Sequence, residues 1–296
     1  MGLVFLSMPG LIMSDNDVRQ PIVSIVSTGQ MGAAIGARLQ TNGVRVITPD
    51  GRSEASAARA LAAGIEIVPL AEIGDSDFIF SIVPPAVAVE TARKVAAVLA
   101  KGTGGPLYID WNAVSPARAQ EIEDVIVTAG GRFADGCIIG LPRTDGPGPL
   151  LYISGPHAPA LATLQTGGVR FKVLDAPNGA ASALKMSYAG ITKGTIALGA
   201  AMMLAAQRAG CAEALLEELA TSQAQVLASF RRSIPDMFGK AQRWAAELSE
   251  IAEFVGDGHV ERGIYQAMAA FYAVLGEDNR GPRREVGTLD LMLRKE

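Results

Sequence analysis

Short apolar runs and longer alanine-rich stretches alternate along the chain from Pro21 to about Leu174. Each run is apolar at almost every position, without the regular polar residue that marks a strand with one face in water. Such runs are typical of parallel strands in a sheet that is covered on both faces. We predict strands at Ile22–Val26, Val44–Thr48, Ile65–Val68, Phe78–Val83 and Leu107–Asp110.

The stretches between these runs have the composition of helices. Predicted helices cover Met31–Asn42, Glu54–Ala63, Val87–Ala100 and Pro116–Ala129. Strands and helices that alternate at this spacing predict right-handed β-α-β units, and therefore a doubly wound, Rossmann-like parallel sheet of the α/β class. Three later runs, Arg132–Gly136, Leu150–Ser154 and Arg170–Leu174, are expected to extend that sheet.

The pattern changes after Asn178, where the strand-like runs stop. The stretch Ala180–Arg208 is apolar nearly all round, as expected of a helix that lies between a domain and a partner subunit. Further helices are predicted at Ala212–Phe230, Lys240–Phe254 and Val260–Leu275, and the charged end Glu277–Glu296 is expected to fray. We therefore divide the chain into a sheet domain, residues 21–178, and an all-α domain, residues 179–296.

The first 20 residues precede this organisation, and we expect them to be a disordered extension. Met1–Ile12 is apolar but lacks the basic segment and the cleavage site of a signal sequence, and it is too short to span a bilayer. Met13 resembles a natural start, so the sequence leaves open whether Met1–Ile12 belongs to the native protein. We predict a cytoplasmic protein.

Composition excludes several classes of function. The net charge is −4, and the sequence contains no cluster of lysines and arginines that could bind a phosphate backbone. Neither nucleic acid nor an anionic membrane is therefore an expected partner. The two cysteines and two histidines show no metal-ligand spacing, which argues against a metal site. A small molecule remains the expected substrate or ligand.

A glycine turn follows the first predicted strand. A dinucleotide-binding turn uses glycines to tighten the bend, to let pyrophosphate approach the backbone, and to pack the helix on the strand. Here the first of the three positions is Ser27, while the other two keep glycine. The residues expected to contact the cofactor are Thr28, Gly29, Gln30, Met31 and Gly32.

The end of the second strand bears on the choice of cofactor. Asp50 lies about twenty residues after the glycine turn, where an acid accepts from ribose hydroxyls and favours NAD. Arg52 and Ser53 would instead hold a 2′-phosphate, and we favour NADP, with NAD left open. Val83 and Pro84, at the end of the fourth strand, predict a rigid loop beside the nicotinamide.

Lys185 is the candidate for acid–base chemistry because it lies in the first turns of the apolar helix. Burial disfavours the charged amine and brings its pKa toward neutrality, which suits proton exchange with a substrate hydroxyl or carbonyl. The alternative is a lysine whose amine reaches solvent. Tyr188 shares the helix face with Lys185 and would hydrogen-bond the substrate, or else simply pack.

From Ile22 to about Leu275 the chain resembles the β-hydroxyacid dehydrogenase superfamily, within it the 6-phosphogluconate-dehydrogenase-like branch whose C-terminal domain has no assigned substrate. The family turn Gly-x-Gly-x-Met-Gly is represented by residues 27–32. After the second strand the family has Asn-Arg-Thr, which is represented here by Asp50, Arg52 and Ser53 with Gly51 inserted. This arrangement matches that of the NADP-binding members. Its Asp-x-Ser-Thr-x-Ser-Pro is represented by residues 110–116.

The resemblance extends to the residues around the substrate. The family loop Asp-Ala-Pro-Val-Ser-Gly is represented by residues 135–140, and its glycine pair with Lys-x-x-Asn-Asn by residues 179–189. The resemblance implies that Lys185 is the acid/base and that a homodimer forms around the long helix. It places Asn112, Ile138, Ile139, Gly140 and Tyr188 at the substrate.

Departures from the family pattern predict a different substrate. Ile139 replaces the loop serine that holds a carboxylate, and Tyr188 and Ala189 replace both asparagines. On the helix where the family has a lysine–aspartate pair, Glu247 falls near the aspartate but Ala246 replaces the lysine. An apolar site compensates an anion poorly, so we expect alcohol–carbonyl interconversion on a mainly apolar molecule.

Two other functions remain open from the sequence. Imine reductases share this architecture, although they usually carry Asp or Tyr at the position of Lys185. A non-catalytic sensor that keeps the NADP site and has lost the chemistry would also account for the altered substrate motifs.

Overall fold

The computed structural model describes residues 20–99, 105–164 and 168–294. Within them one eight-stranded sheet has the order β3-β2-β1-β4-β5-β6-β7-β8. The strands are β1 (Ile22–Ile25), β2 (Arg45–Pro49), β3 (Glu66–Val68), β4 (Phe78–Ser81), β5 (Leu107–Asp110), β6 (Arg132–Ile139), β7 (Leu150–Ser154) and β8 (Arg170–Val173). Strands β1 to β6 pair in parallel, which confirms the doubly wound sheet.

Four helices cover the sheet domain and six form the second domain, in the described residues. The first four are α1 (Gln30–Thr41), α2 (Glu54–Ala62), α3 (Ala88–Ala96) and α4 (Pro116–Thr128). The others are α5 (Ala180–Arg208), α6 (Ala212–Ser222), α7 (Ala224–Met237), α8 (Ala241–Val255), α9 (Arg262–Arg280) and α10 (Arg284–Arg294). A Rossmann-like sheet domain is thus followed by an all-α domain, as predicted.

The last two strands reverse the direction of the sheet. Strand β7 pairs with β6 in the antiparallel sense, and β8 is parallel to β7. The connection between β6 and β7 is a short loop, residues 140–149, and a short loop can join only antiparallel neighbours. Apolar side chains on the two sheet faces pack against α1 and α2 on one side and α3 and α4 on the other.

The helical domain has a core of its own around α5. Small residues let neighbouring helices approach: a methyl group on Gly199 would overlap the ring of Phe230 on α7. By length and hydropathy α5 could cross a membrane, but half of its most apolar stretch is buried inside the protein. That burial is typical of the central helix of a folded domain.

Two expectations for the helical domain are wrong. The helix predicted at Ala212–Phe230 is two helices, because the backbone of Gln223 leaves the helical region between α6 and α7. The end of the chain does not fray throughout but forms α10, whose buried face carries Val286 and Leu289. Both oxygens of Asp278 cap α10, accepting from the amides of Arg284 and Val286 at 2.8 Å. Of the expected disordered extension, residues 1–19 lie outside the described residues.

Candidate active site

The glycine turn joins β1 to α1 with little space between helix and strand. A methyl group on Gly32 would overlap the carbonyl oxygen of Ser27, so this position cannot take a larger residue without displacing the backbone. A methyl group on Gly29 would meet no atom within 4 Å. The side of the turn that faces outward is therefore open, as the approach of a pyrophosphate requires.

The N-terminus of α1 has no side-chain cap, unlike those of α2 and α4, two other helices of the sheet domain. Ser53 caps α2 and Ser115 caps α4, each accepting from a backbone amide of the first turn. Gly29 precedes α1, and no described side chain caps it. The first amides of a helix need partners, and an anion is the partner that the helix dipole favours. The turn thus fits a dinucleotide phosphate.

Arg59 supports the glycine turn from α2, a contact that sequence analysis missed. Its Nε donates to the carbonyl oxygen of Thr28 at 2.9 Å, and its guanidinium also reaches the Ser56 hydroxyl at 3.3 Å. The Thr28 hydroxyl donates to the carbonyl of Ser56 at 2.8 Å. No spacing in the sequence identifies Arg59, because its partner lies on a different β-α unit.

The residues that bear on NAD or NADP come together at the end of β2. Asp50, Arg52 and Ser53 are all exposed there, and Gly51 turns the chain with a φ of 72°. The amide of Asp50 donates to the carbonyl of Val68 at 2.8 Å, which ties the segment to β3. Both the acid and the arginine are thus free to meet a ribose.

A row of polar residues crosses the sheet, at the last residues of β4, β5 and β7 and in the middle of β6. Ser81, Asp110, Asp135 and Ser154 are paired neighbours on β4, β5, β6 and β7, and all four are fully buried. Burial raises the pKa of Asp110 well above its usual range, and the charge of Asp135 raises it further. One oxygen of Asp110 has no hydrogen-bond partner among the described residues. Burial and the neighbouring carboxylate therefore favour the protonated form of Asp110.

Asn112 connects this row to the loop at Val83. Its Oδ1 accepts from the amide of Val83 at 2.6 Å, and its Nδ2 donates to the Ser81 hydroxyl at 3.0 Å and to Asp110. These contacts hold the Val83–Pro84 loop, which is predicted to face the nicotinamide. The expected contact between Asn112 and substrate stays a prediction, since the side chain is buried in its contacts with protein.

Lys185 lies at the junction of the two domains. Its Nζ donates to the carbonyl oxygen of Ile138 at 2.7 Å, at the end of β6 and at the edge of the sheet where the glycine turn lies. Ile139 and Gly140 follow directly, the first half-buried and the second exposed. Tyr188, three residues along α5 from the lysine, is 48% exposed. The structure thus brings the lysine and the predicted substrate loop together.

The environment of Lys185 favours the neutral amine. Burial lowers its pKa, and the charge of Lys193 acts in the same direction. An ionised Cys137 or Glu247 would raise it. Burial raises the pKa of Cys137 to about 12, so this residue is a neutral thiol near pH 7 and does not oppose the shift.

A second lysine of α5 forms an ion pair that the sequence did not reveal. Lys193 contacts Glu247 on α8, and its Nζ lies 5.7 Å from the centre of the Trp244 ring. Arg243 approaches the other oxygen of Glu247 at 3.2 Å. Glu247 was expected to occupy the acidic position of a family pair whose lysine is missing from α8. The partner comes from α5, where Lys193 lies eight residues beyond Lys185.

No group of three histidine, cysteine or acidic side chains that could hold a metal occurs in the described part of the chain.

Comparison with known proteins places each domain in a family. Residues 22–167 match the NAD binding domain of 6-phosphogluconate dehydrogenase, and residues 206–275 match a domain of unknown function, DUF1932. An uncharacterised 28.5 kDa protein of Methanothermus fervidus is 29% identical over 208 residues, which cover 69% of this chain and 79% of the relative.

Several solved structures share the fold. One is a conserved protein of unknown function, described as structurally similar to 3-hydroxyacid dehydrogenases, which is 26% identical with a TM-score of 0.72. The superposition covers 88% of this chain and 98% of that protein's chain. The 3-hydroxyisobutyrate dehydrogenase of Mycobacterium tuberculosis is 17% identical, with a TM-score of 0.71 and coverages of 88% and 95%. An imine reductase of Myxococcus stipitatus is 20% identical, with a TM-score of 0.53 and coverages of 93% and 100%.

The last two likenesses establish the fold, which hydroxyacid dehydrogenases and imine reductases share. The prediction of a dinucleotide cofactor is confirmed, because the sheet domain itself matches an NAD-binding family. Its glycine turn also has the open space and the uncapped helix that a dinucleotide needs. The sheet domain is therefore an NAD binding domain of the 6-phosphogluconate dehydrogenase type, and it is followed by a helical domain that contains a DUF1932 match.

Proposed function

We propose that this protein is an NADP-dependent oxidoreductase that interconverts an alcohol and a carbonyl on a mainly apolar small molecule. The observation that carries the proposal is the hydrogen bond from Lys185 Nζ to the carbonyl of Ile138. It holds a half-buried amine at the edge of the sheet where the dinucleotide turn lies. An amine in that place is suited to general acid–base catalysis.

The cofactor would be held by three groups of residues. The amides that begin α1 would bind the pyrophosphate, and the loop at Val83 and Pro84 would lie beside the nicotinamide. Arg52 and Ser53 support the choice of NADP, because a guanidinium and a hydroxyl suit a 2′-phosphate. The bound cofactor would supply or accept the hydride of the reaction.

Lys185 would move the proton that accompanies the redox change. In the reducing direction its ammonium group donates to the substrate oxygen, and in the oxidising direction its neutral amine accepts from the hydroxyl. A lowered pKa makes the neutral amine more accessible than it is in a solvated lysine, and a proton transfer of this kind is worth roughly 10²–10⁴ in rate. The bond to Ile138 uses one of the three ammonium protons and leaves two for the substrate.

The residues near Lys185 support a mainly apolar substrate. Ile139 follows the carbonyl that orients the lysine, and Leu141 is 64% exposed in the next loop. Neither side chain can compensate a carboxylate or phosphate, and burial of an uncompensated anion is costly.

The proposal includes a cytoplasmic homodimer built on α5. Tyr188, Ile191, Leu198 and Met202 are exposed apolar side chains at intervals of three, seven and four residues, which keep them on one side of the helix. Sedimentation of the protein and of the Leu198→Glu variant tests this assembly. A wild-type monomer would contradict it.

The activity is tested with NADPH and a panel of apolar ketones and cyclic imines. Turnover of a ketone, reduced by roughly 10²–10⁴ in Lys185→Met with NADPH binding retained, would support the proposal. Lys172→Met is the matched control, because Lys172 is an exposed lysine of β8. Turnover of imines alone would favour imine reduction, and NADPH binding without any turnover would favour a sensor.

A further inference from the structure

Asp135 of β6 holds the first turn of α5. Its carboxylate accepts from the amide of Ser182 at 2.9 Å and from the Ser182 hydroxyl at 2.6 Å. The hydroxyl of Ser154 donates to the same carboxylate at 3.1 Å and accepts from the amide of Ala181 at 3.1 Å. Two successive amides of the helix are thus bound by side chains of the sheet.

No other described side chain caps the helix at this end. Gly179 precedes α5 with a φ of 91°, a conformation that favours glycine, and it has no side chain to bind the first amides. Ala181 and Ser182 are fully buried, so water cannot replace the missing partner there. A carboxylate is well suited to the role, since it accepts several hydrogen bonds and meets the positive end of the helix dipole.

The same strand holds Lys185. Asp135 binds Ser182. Three residues further along β6, Ile138 binds Lys185, which in turn lies three residues beyond Ser182 on α5. Three residues advance about 10 Å along a strand and about 4.5 Å along a helix. The extended lysine side chain covers the remaining distance. The place of the amine therefore depends on both bonds, the cap at one end and the carbonyl at the other.

We propose that Asp135 is a positioning residue of the active site: by capping α5 it sets where the Lys185 amine lies and how far it is removed from water. The inference rests on the proposed role of Lys185 as the acid/base. Asp135 does not touch the reacting atoms and acts only through the helix. Without the cap, the first turn of α5 loosens and the amine leaves Ile138 for solvent.

The ionisation of the buried pair is consistent with this role. Burial raises the pKa of Asp135, whereas the bonds from Ser182 and Ser154 lower it. The pKa of its neighbour Asp110 is raised by burial and by the charge of Asp135, and Asp110 receives fewer compensating bonds. The hydrogen bonds to Asp135 therefore favour its charged form, which is the form that accepts from the helix amides.

The test is the titration of Lys185, followed by NMR of protein labelled with ¹³C at the lysine Cε. The chain has seven lysines, and the Lys185→Met variant assigns the signal. In Asp135→Asn we expect the Lys185 titration to move upward by at least about 0.5 pH unit, toward the value of roughly 10.4 for a solvated lysine. Loss of a nearby negative charge alone would move it downward.

The direction of the shift therefore separates positioning from simple electrostatics. A Lys185 that titrates in folded Asp135→Asn as in the wild type, or at lower pH, would overturn the proposal. If Asp135→Asn does not fold, the Lys185 titration is measured in Ser182→Ala instead. This variant removes the bond from the Ser182 hydroxyl to the Asp135 carboxylate and keeps the bond from the Ser182 amide. A smaller upward shift in that variant supports the proposal, and an unchanged titration overturns it.

Ser115→Ala is the control for loss of a helix cap. It removes the serine cap of α4, a helix of the sheet domain to which Asp135 also belongs, and we expect the Lys185 titration to be unchanged. A shift of equal size in Ser115→Ala would contradict the assignment to Asp135. The titration needs no substrate. A lack of oxidoreductase activity would therefore contradict the proposed function, but it would not change the measured effect of Asp135 on Lys185.

Discussion

Lys193 of α5 and Glu247 of α8 form an ion pair at the centre of the helical domain, with side chains only 13% and 27% exposed. Tyr272 of α9 donates to the carbonyl of Lys193 at 2.7 Å, so three helices meet at this lysine. A charged pair that is largely removed from water costs more to break than to replace. The pair therefore contributes to the packing of the three helices as well as to the field at Lys185.

The first prediction concerns this pair. Glu247→Gln leaves the ammonium of Lys193 without its nearest anion and should lower the free energy of unfolding by about 1–3 kcal/mol, since partial exposure moderates the cost of a buried charge. Lys193→Met in the same background should recover part of the loss. Urea unfolding of the two single variants and the double variant measures the coupling. Additive losses would show that the two residues act separately.

The second prediction separates the two glycines of the turn. Gly32→Ala should cost about 1–3 kcal/mol, because the methyl group overlaps the Ser27 carbonyl, and NADPH binding should be lost with it. Gly29→Ala should fold with nearly wild-type stability and still bind NADPH weakly, since its methyl group fills the space for the pyrophosphate.

Thermal unfolding and NADPH fluorescence measure both variants of the turn. Gly287→Ala, in the open first part of α10, is a control that should affect neither binding nor the turn. Wild-type NADPH affinity in Gly29→Ala would place the cofactor elsewhere.

The third prediction concerns the choice between NAD and NADP. Arg52→Ala should weaken NADPH binding roughly tenfold or more, because a charge-assisted bond to the 2′-phosphate is lost, and should leave NADH binding unchanged. Titration of both nucleotides measures the ratio. Arg45→Ala is the control, an exposed arginine at the opposite end of β2 that pairs with Glu66. Equal losses for both nucleotides in Arg52→Ala would exclude recognition of the 2′-phosphate.

The fourth prediction follows from the lowered pKa of Lys185. A lysine whose pKa is lower in the folded state than in the unfolded state binds fewer protons when folded, so its contribution to stability improves as pH rises. The window runs from the folded pKa up to the ordinary value near 10.4. Lys185→Met should therefore be more stable than the wild type at neutral pH, and the difference should shrink as pH rises through that window.

Urea unfolding at several pH values tests this sign, with Lys172→Met as the exposed control. A difference that does not depend on pH would mean that the Lys185 amine is as well solvated in the folded protein as in the unfolded chain. If the proposed activity holds, carbonyl reduction should also decline as pH rises through the pKa of Lys185, because the ammonium donor is lost.

The apolar pattern by itself determined the class of the fold. Strands β1 to β6 and helices α1 to α5 lie within a few residues of their predicted places, because continuous apolar runs and their helical alternation are local properties of the chain. The glycine turn and Lys185 were found in the same way, since the first depends on neighbouring glycines and the second on one charge in an apolar helix.

Other features were decided only when distant segments met. The break at Gln223 and the burial of α10 depend on packing against other helices, which the local pattern does not specify. The same holds for Arg59 under the glycine turn and for Lys193, whose partner Glu247 lies on another helix. The sequence shows that a residue is charged, but the identity of its partner depends on how distant segments pack.

The cap of α5 shows the distinction most clearly. Asp135 and Ser182 lie 47 positions apart, and neither marks a helix terminus in the sequence. Folding places the middle of β6 against the start of α5, and burial then makes the carboxylate the partner of the buried amide and hydroxyl of Ser182. The sequence by itself determined that a lysine lies in an apolar helix after a dinucleotide-binding domain, and the tertiary structure decided what holds its amine in place.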